Sequence, residues 1–494
     1  MDMPSKTRQF ENLTIALFLV ILIVVFLVIA YLPIGNIGSG LLSTSSTPPV
    51  ADTGHPYGTD QVVYEGSTVT LDGSASFSHD PSSNPITTFT WKQTAGSPAV
   101  MLTGANTARA TFTAPSNLKN NTVLEFQLTV TDKHGLSNIG YTRVTVRHTV
   151  SPVDTHEEKI VPPTKGVYLS ALTDFGGLED QINIKNISHF EQLVGKNITW
   201  AYFSNNWNES GIHFPTQAVK AIHQLGVVPF LRIMPRTSDY VEGSKDKKYS
   251  QDGIIRGEFD DGQDGIKQWM IDAKKAGVPI MVDIEPEMNG HWFPWSGVIN
   301  NPDGPQKYVQ VYRHIVDLSR QMNVTNITWA FHIYPPQDTD WLSNQSWNNV
   351  ANYYPGDNYV DWIGISAYGS FEKGTDWESF ISIMNQAYPV MANLGNKTKP
   401  IAVFEMATME DPAMGNKSQW IHDALTSIEN GIYPRIKAIS YWNEAWDDCP
   451  ENCHNGELHK IVNLRVDSDP QSLDVYKKMI ASPFFVSKAI IQKR

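Results

Sequence analysis

Basic residues are in short supply. The chain of 494 residues has 38 Lys and Arg against 51 Asp and Glu, a formal net charge of −13. Phosphate binding needs a basic face, so nucleic acid is excluded as a partner, while a neutral ligand suits this balance. Cysteine is scarcer still: the only two are Cys449 and Cys453, in the run CPENC. Outside the cell such a pair is expected as a disulfide closing a tight loop. A metal site is the alternative, kept open by His454, but no nearby cysteine completes a zinc ligand set. Also missing is a Gly-rich phosphate loop after the first strand of the C-terminal region, which counts against a nucleotide-binding open sheet. No cofactor and no metal are called for, and the oligomeric state is not encoded in any pattern of the chain.

Charge is absent altogether from one stretch, Leu13 to Ile34, LTIALFLVILIVVFLVIAYLPI. A bilayer core needs about 20 apolar residues in a helix, and a cleavable signal has a shorter apolar region of about 7–15. The expectation is therefore a single uncleaved transmembrane helix. Lys6 and Arg8 precede it and the next basic residue is Lys92, which orients the short N-terminus to the cytoplasm. The expected location is the cell membrane, single-pass, with the rest of the chain extracellular. Asn-X-Ser/Thr sequons at Asn120, Asn186, Asn197, Asn208, Asn323, Asn326, Asn344, Asn396 and Asn416 agree with an outside location, as a glycoprotein.

Aromatics are abundant, at 11% with 14 Trp, which indicates folded, core-bearing domains. The composition shifts four times along the chain. Residues 1–35 hold the membrane anchor and residues 36–60, rich in Gly, Ser, Thr and Pro, read as a flexible linker. Residues 61–149 alternate apolar and polar positions in short runs such as VLEFQLTVTD, the pattern of an immunoglobulin-like β-sandwich. LDGSASFSHDPSS, TFTWKQTAG and FQLTVTDKHGLSN there resemble the polycystic-kidney-disease-type (PKD) domain, with Trp91 as its core tryptophan. That resemblance implies a spacer or adhesion role. Residues 150–165 form a second linker, and in 166–485 short apolar runs alternate with segments of helical period. GVYLSA, ITWAYFS, VVPFLRI, PIMVDIE, ITWAFHI, WIGISAY, PIAVFEM and AISYW are the strand candidates. The fold class is α/β, a (β/α)8 TIM barrel with an N-terminal β-sandwich and the transmembrane helix.

Barrel enzymes carry their chemistry at the C-terminal ends of the strands. The fourth strand runs into IEPEMNGHWFPW, with Glu287, His291, Trp292 and Trp295; the sixth ends at Tyr368, the seventh at Glu405 and the eighth at Trp442 and Glu444. Two carboxyl groups at one mouth, with flat aromatic platforms for sugar rings, are what glycoside hydrolysis requires. Trp207 is a further candidate sugar contact, Arg232 and Arg236 could orient a carboxylate, and His332 on the fifth strand faces either the mouth or the helical layer.

EMNGHWFPW, YVDWIGISAYG and KPIAVFEMA resemble glycoside hydrolase family 26 of clan A, whose best-known members are β-mannanases. The resemblance covers roughly residues 165 to 485. It implies Glu287 as general acid/base, Glu405 as nucleophile, Tyr368 as the residue orienting the nucleophile and Trp292 beside the cleaved bond. It also implies retention of configuration and a β-linked polysaccharide substrate, mannan-like first and β-glucan or xylan second. Two positions depart from the family pattern: Pro286 stands where a His usually precedes the acid/base, and Asp283 where an Arg is usual. The runner-up reading is a non-catalytic carbohydrate-binding or surface adhesion protein on the same barrel.

Overall fold

The computed structural model describes residues 47–54, 61–148, 157–175, 179–301, 303–336, 342–371, 377–447 and 461–493. The first folded unit contains β1 (Gln61–Tyr64), β2 (Thr68–Asp72), β3 (Ile86–Ala95), β4 (Arg109–Thr113), β5 (Thr122–Asp132) and β6 (Ser137–Arg147). One sheet has the order β1-β6-β5-β3 and faces the β2-β4 pair. Alternation in β5 sends Leu124, Phe126, Leu128 and Val130 inward, where they meet Trp91, Leu71 and Phe112. Period-two patterning thus becomes one buried face, as strand geometry demands. Asp132 braces the turn after β5: its Oδ1 accepts from the amides of His134 and Leu136, and Asn84 donates to its Oδ2.

After a short strand β7 (Glu158–Val161) come eight parallel strands: β8 (Val167–Leu172), β9 (Trp200–Asn206), β10 (Val228–Met234), β11 (Ile280–Ile284), β12 (Ile327–Ile333), β13 (Trp362–Tyr368), β14 (Ile401–Ala407) and β15 (Ile436–Trp442). They pair in sequence order, and β15 returns to β8, so the sheet closes. The crossovers run through helices, among them Ile184–Val194, Thr216–Gln224, Ile266–Ala276, Gly304–Gln321, Phe380–Ala392 and Lys417–Glu429. The helix Ile266–Ala276 stops at Gly277, whose φ of 67° suits glycine and frees the chain to re-enter the barrel as β11.

Aromatic rings fill the barrel interior. Trp200 stands edge-on to Tyr168, Trp362 and Phe230, and Phe230 packs against Tyr202 and Phe404. A Cβ on Gly364 would meet the Phe404 ring, so glycine on β13 is what lets that ring lie across the axis. The register between β13 and β14 slips beside it, between Ile365 and Ser366, and brings Ser366 opposite Glu405. Above this apolar plug the inward positions turn polar, with Arg232, Asp283, His332, Ser366 and Glu405 all buried. A packed floor thus fixes the height at which the polar groups emerge.

The fold class needs one correction. Among the described residues no helix is long and apolar enough to cross a membrane, so the single transmembrane helix is withdrawn from it. The stretch Leu13 to Ile34 that suggested it lies outside the described residues, as do Cys449, Cys453 and His454. The sequon at Asn326 is also closed to a glycan in the folded chain: this asparagine is buried and its amide donates to the carbonyls of Ala273 and Val278.

Candidate active site

The segment after β11 is held in an unusual backbone shape. Glu285 and Glu287 have φ of 51° and 54°, in the left-handed region that costs a non-glycine residue roughly 1–2 kcal/mol. Neighbours on both sides hold it. The Glu285 amide donates to Ile233 O on β10, and the Glu287 amide to His332 O on β12, at 3.1 and 2.9 Å. Trp295 Nε1 donates to Pro286 O at 2.7 Å, while Asn289 exchanges two hydrogen bonds with the backbone of Tyr334. Gly290 lets the Trp292 ring lie against the chain, since a Cβ there would come within 2.7 Å of the indole.

This fold of the loop points Glu287 across the mouth. Its Oε2 accepts from Trp292 Nε1 at 3.0 Å, and its Oε1 accepts from Ser366 Oγ. Burial, and then the negative charge of Glu405, push its pKa up to about 7. Glu405 sits among donors instead. Arg232 Nη1 donates to its Oε1 at 3.1 Å and Tyr368 Oη to its Oε2 at 2.7 Å. Arg232 is held in turn by Glu179 and by Ser204, and its guanidinium lies over the rings of Tyr202 and Trp442. One carboxyl group therefore keeps its proton near neutrality, and its partner is gripped by two donors, Arg232 and Tyr368. General acid and nucleophile need that contrast.

The other sequence-selected residues divide by exposure. Trp292 is half-buried, edge-on to Tyr334 and flanked by the exposed His291. Trp442 is buried and donates through Nε1 to Glu444 Oε2 at 3.0 Å. Burial, then the charge of Asp174, push Glu444 up to about 7. Trp295 stacks on Phe293 and braces the loop through Pro286. Trp207 is 1% exposed, edge-on to Tyr249 in the barrel core, and presents no free face to a sugar. Arg236 lies over the Phe293 ring and donates to Asn206.

Sequence reasoning passed over Ser366, Tyr202, Ser204 and Glu179, which bond directly to the central groups or to Arg232. A polar residue at an inward position near the C-terminal end of a barrel strand was the available signal, and Ser204, Arg232, His332 and Ser366 all carry it. Asp283 proves to be internal: its Oδ2 accepts from Tyr202 Oη at 3.0 Å and meets His332 Nδ1 at 2.8 Å.

Residues 235–417 match the family model described as glycosyl hydrolase family 26. The matched segment is a family 26 glycosyl hydrolase domain that takes in β11 to β14 of the barrel. Residues 58–146 match a PKD domain model, so the family 26 domain follows a PKD-like sandwich in the chain. The chain is 31% identical over 215 residues to a protein named Endoglucanase H from Acetivibrio thermocellus, covering 43% of this chain and 21% of that protein. It is 26% identical over 167 residues to a mannan endo-1,4-β-mannosidase from Bifidobacterium adolescentis, covering 32% of this chain and 16% of that one. These matches span about a fifth or less of the relatives' own lengths. Among solved structures, the catalytic domain of a Bacillus family 26 endo-β-1,4-mannanase aligns at 18% identity with a TM-score of 0.44, covering 65% of this chain and 87% of that chain.

Behind the family 26 site lies a third acid. Glu285 is 1% exposed and accepts from Gln251 Nε2 at 2.9 Å, while its Oε1 has no partner among the described residues. It lines a cavity of about 50 Å³ with Gln251, Trp295 and Asn300. Burial pushes its pKa up to about 8. The folded state thus binds this proton more tightly than the unfolded chain. The stability linked to it is complete below the ordinary carboxyl range and is lost as pH rises toward 8. Glu285→Gln is expected to flatten that decline, so that the variant gains on the order of a few kcal/mol over the parent at pH 8 and little at pH 4. Thermal unfolding across this pH range measures it, and equal slopes for both proteins would refute it.

Proposed function

We propose that this protein is an endo-acting, retaining β-glycosidase that cleaves a β-linked polysaccharide by a double displacement on two glutamates. The observation that carries the reading is the contrast between Glu287 and Glu405 at one barrel mouth. Glu287 holds its proton to about 7 under burial and the Glu405 charge, and Glu405 accepts hydrogen bonds from Arg232 and Tyr368. In the first step Glu405 attacks the anomeric carbon as Glu287 protonates the leaving oxygen. In the second, the Glu287 carboxylate takes a proton from water, which displaces Glu405. Arg232 and Tyr368 hold Glu405 in line for attack, and Trp292 both steadies Glu287 and offers a ring to the sugar.

The substrate we propose is of the mannan type, in keeping with the family's best-known members and with a relative named a mannan endo-1,4-β-mannosidase. A β-glucan is the alternative, supported by the likeness to a relative named an endoglucanase. The non-catalytic reading draws on the departures at Pro286 and Asp283, but the donors around both carboxyl groups argue for turnover. A panel of soluble mannan, mixed-linkage glucan and xylan decides between them. Release of reducing ends with an early fall in viscosity is expected on mannan or glucan. Binding without release from any of them would favour the carbohydrate-binding alternative.

A further inference from the structure

Pro286 cannot supply a histidine beside the acid/base, yet an imidazole reaches the same carboxyl group from another strand. His332 Nδ1 meets Asp283 Oδ2 at 2.8 Å, and its Nε2 meets Ser366 Oγ at 2.9 Å. Ser366 Oγ in turn bonds Glu287 Oε1. Asp283, His332 and Ser366 are each 0% exposed, so bulk water does not interrupt the line. Three neighbouring strands, β11, β12 and β13, each contribute one member.

We propose that Asp283, His332 and Ser366 form a proton relay behind Glu287, in which one proton is shared between the acid/base and the imidazole. The proposal rests on the glycosidase reading above and assigns His332 and Ser366 as positioning residues. A serine hydroxyl has a single hydrogen and donates to one neighbour at a time. Two arrangements follow. In one, Glu287 carries the proton on Oε1 and donates it to Ser366, Ser366 donates to His332 Nε2, and His332 is neutral. In the other, the Glu287 proton has passed to Ser366 Oγ and the serine's own hydrogen to Nε2. An O–H bond on Glu287 breaks, an N–H bond on His332 forms, and the total charge is unchanged. Nδ1 donates to Asp283 throughout, because a carboxylate only accepts.

The surroundings support a charged imidazole in the second arrangement. Burial disfavours the imidazolium, but the charge and hydrogen bond of Asp283, followed by the charges of Glu405 and Glu287, leave the His332 pKa raised. Tyr202 Oη lies 3.1 Å from Nδ1 and the Phe404 ring is edge-on to the imidazole. Arg232, on β10, lowers the Glu287 pKa as His332 does. The relay gives Glu287 a place to send and recover a proton as it alternates between acid and base, inside a site closed by substrate.

The test is the alkaline limb of kcat/KM against pH, measured for the full chain and four variants on the polysaccharide it cleaves. Ser366→Ala and His332→Gln each remove an interaction that lowers the Glu287 pKa, so each should move the limb upward by about one pH unit. Ser366→Thr keeps the hydroxyl and should restore the parent limb. The double variant should move it no further than the larger single shift. Lower kcat with unmoved limbs, or strictly additive shifts, would overturn the relay. If the parent cleaves nothing, the glycosidase reading falls separately. Nitrogen NMR of the His332 ring then decides the relay: Glu287→Gln should lower its titration by about one pH unit, and Ser366→Ala should shrink that response to the part carried by charge alone. A ring that titrates identically in all of these proteins would exclude it.

Discussion

Glu405→Gln is expected to reduce polysaccharide hydrolysis by a factor on the order of 10⁴ or more, with binding largely retained. The side chain lies near the C-terminal end of β14 in a buried position, fixed from one side by Arg232 and from the other by Tyr368. Glutamine has the same shape, and its carbonyl can keep the Arg232 bond while its amide turns to the tyrosine oxygen. The loop and the aromatic mouth need not move, so affinity for the sugar chain should survive. What is lost is the charge that attacks the anomeric carbon, and no other described carboxylate is held by both of these donors. Calorimetry of binding beside an assay of reducing ends separates the two effects. Residual turnover within tenfold of the parent would remove Glu405 from this role.

The second large effect belongs to Glu287. Glu287→Ala should lower kcat/KM on polysaccharide by about 10²–10⁴, the usual share of a general acid. An aryl glycoside whose leaving oxygen is a weak base needs little protonation, so glycosylation of the enzyme should suffer far less on that substrate. The pH profile provides an independent check. Glu287 must be protonated to act first, and its pKa is pushed up to about 7 by burial and by Glu405. Parent activity should therefore fall as pH rises through about 7, and that limb should vanish in the variant on the aryl substrate. Equal losses on both leaving groups would show that Glu287 does not deliver the proton.

Much of this arrangement was legible in the chain because barrel strands announce themselves twice. Most of the apolar runs are followed by a helical period, and several carry a polar or aromatic residue at or near the C-terminal end, as at Glu285, Tyr368, Glu405 and Trp442. WIGISAY and PIAVFEM coincide with β13 and β14, and the acid and tyrosine at their ends lie on the same carboxylate–phenol bond. What the chain could not reveal depends on three-dimensional neighbours. Asp283 stood out in the sequence only as a departure from the family pattern; in the fold it faces Tyr202 and His332. Ser366 is an ordinary residue in an apolar run, and only the slip in register between β13 and β14 sets it opposite Glu405. The left-handed turns at Glu285 and Glu287 were equally hidden, since neither position is a glycine. Two of the aromatics named as sugar contacts occupy buried positions in the fold. Trp207 and Trp295 fill core and brace loop, because a large ring beside a barrel strand is as useful for packing as for a sugar. The long apolar run near the N-terminus lies outside the described residues, among which no helix is long and apolar enough to cross a membrane.

The division of labour between the two glutamates is tested most directly by trapping the covalent intermediate. The parent protein would be incubated with a fluorosugar inactivator bearing an activated leaving group, then digested and sequenced by mass spectrometry. A single glycosyl adduct on Glu405, absent from Glu405→Gln, is the expected result. An adduct on Glu287 or another carboxylate, or turnover of the polysaccharide with inversion and no adduct, would contradict it.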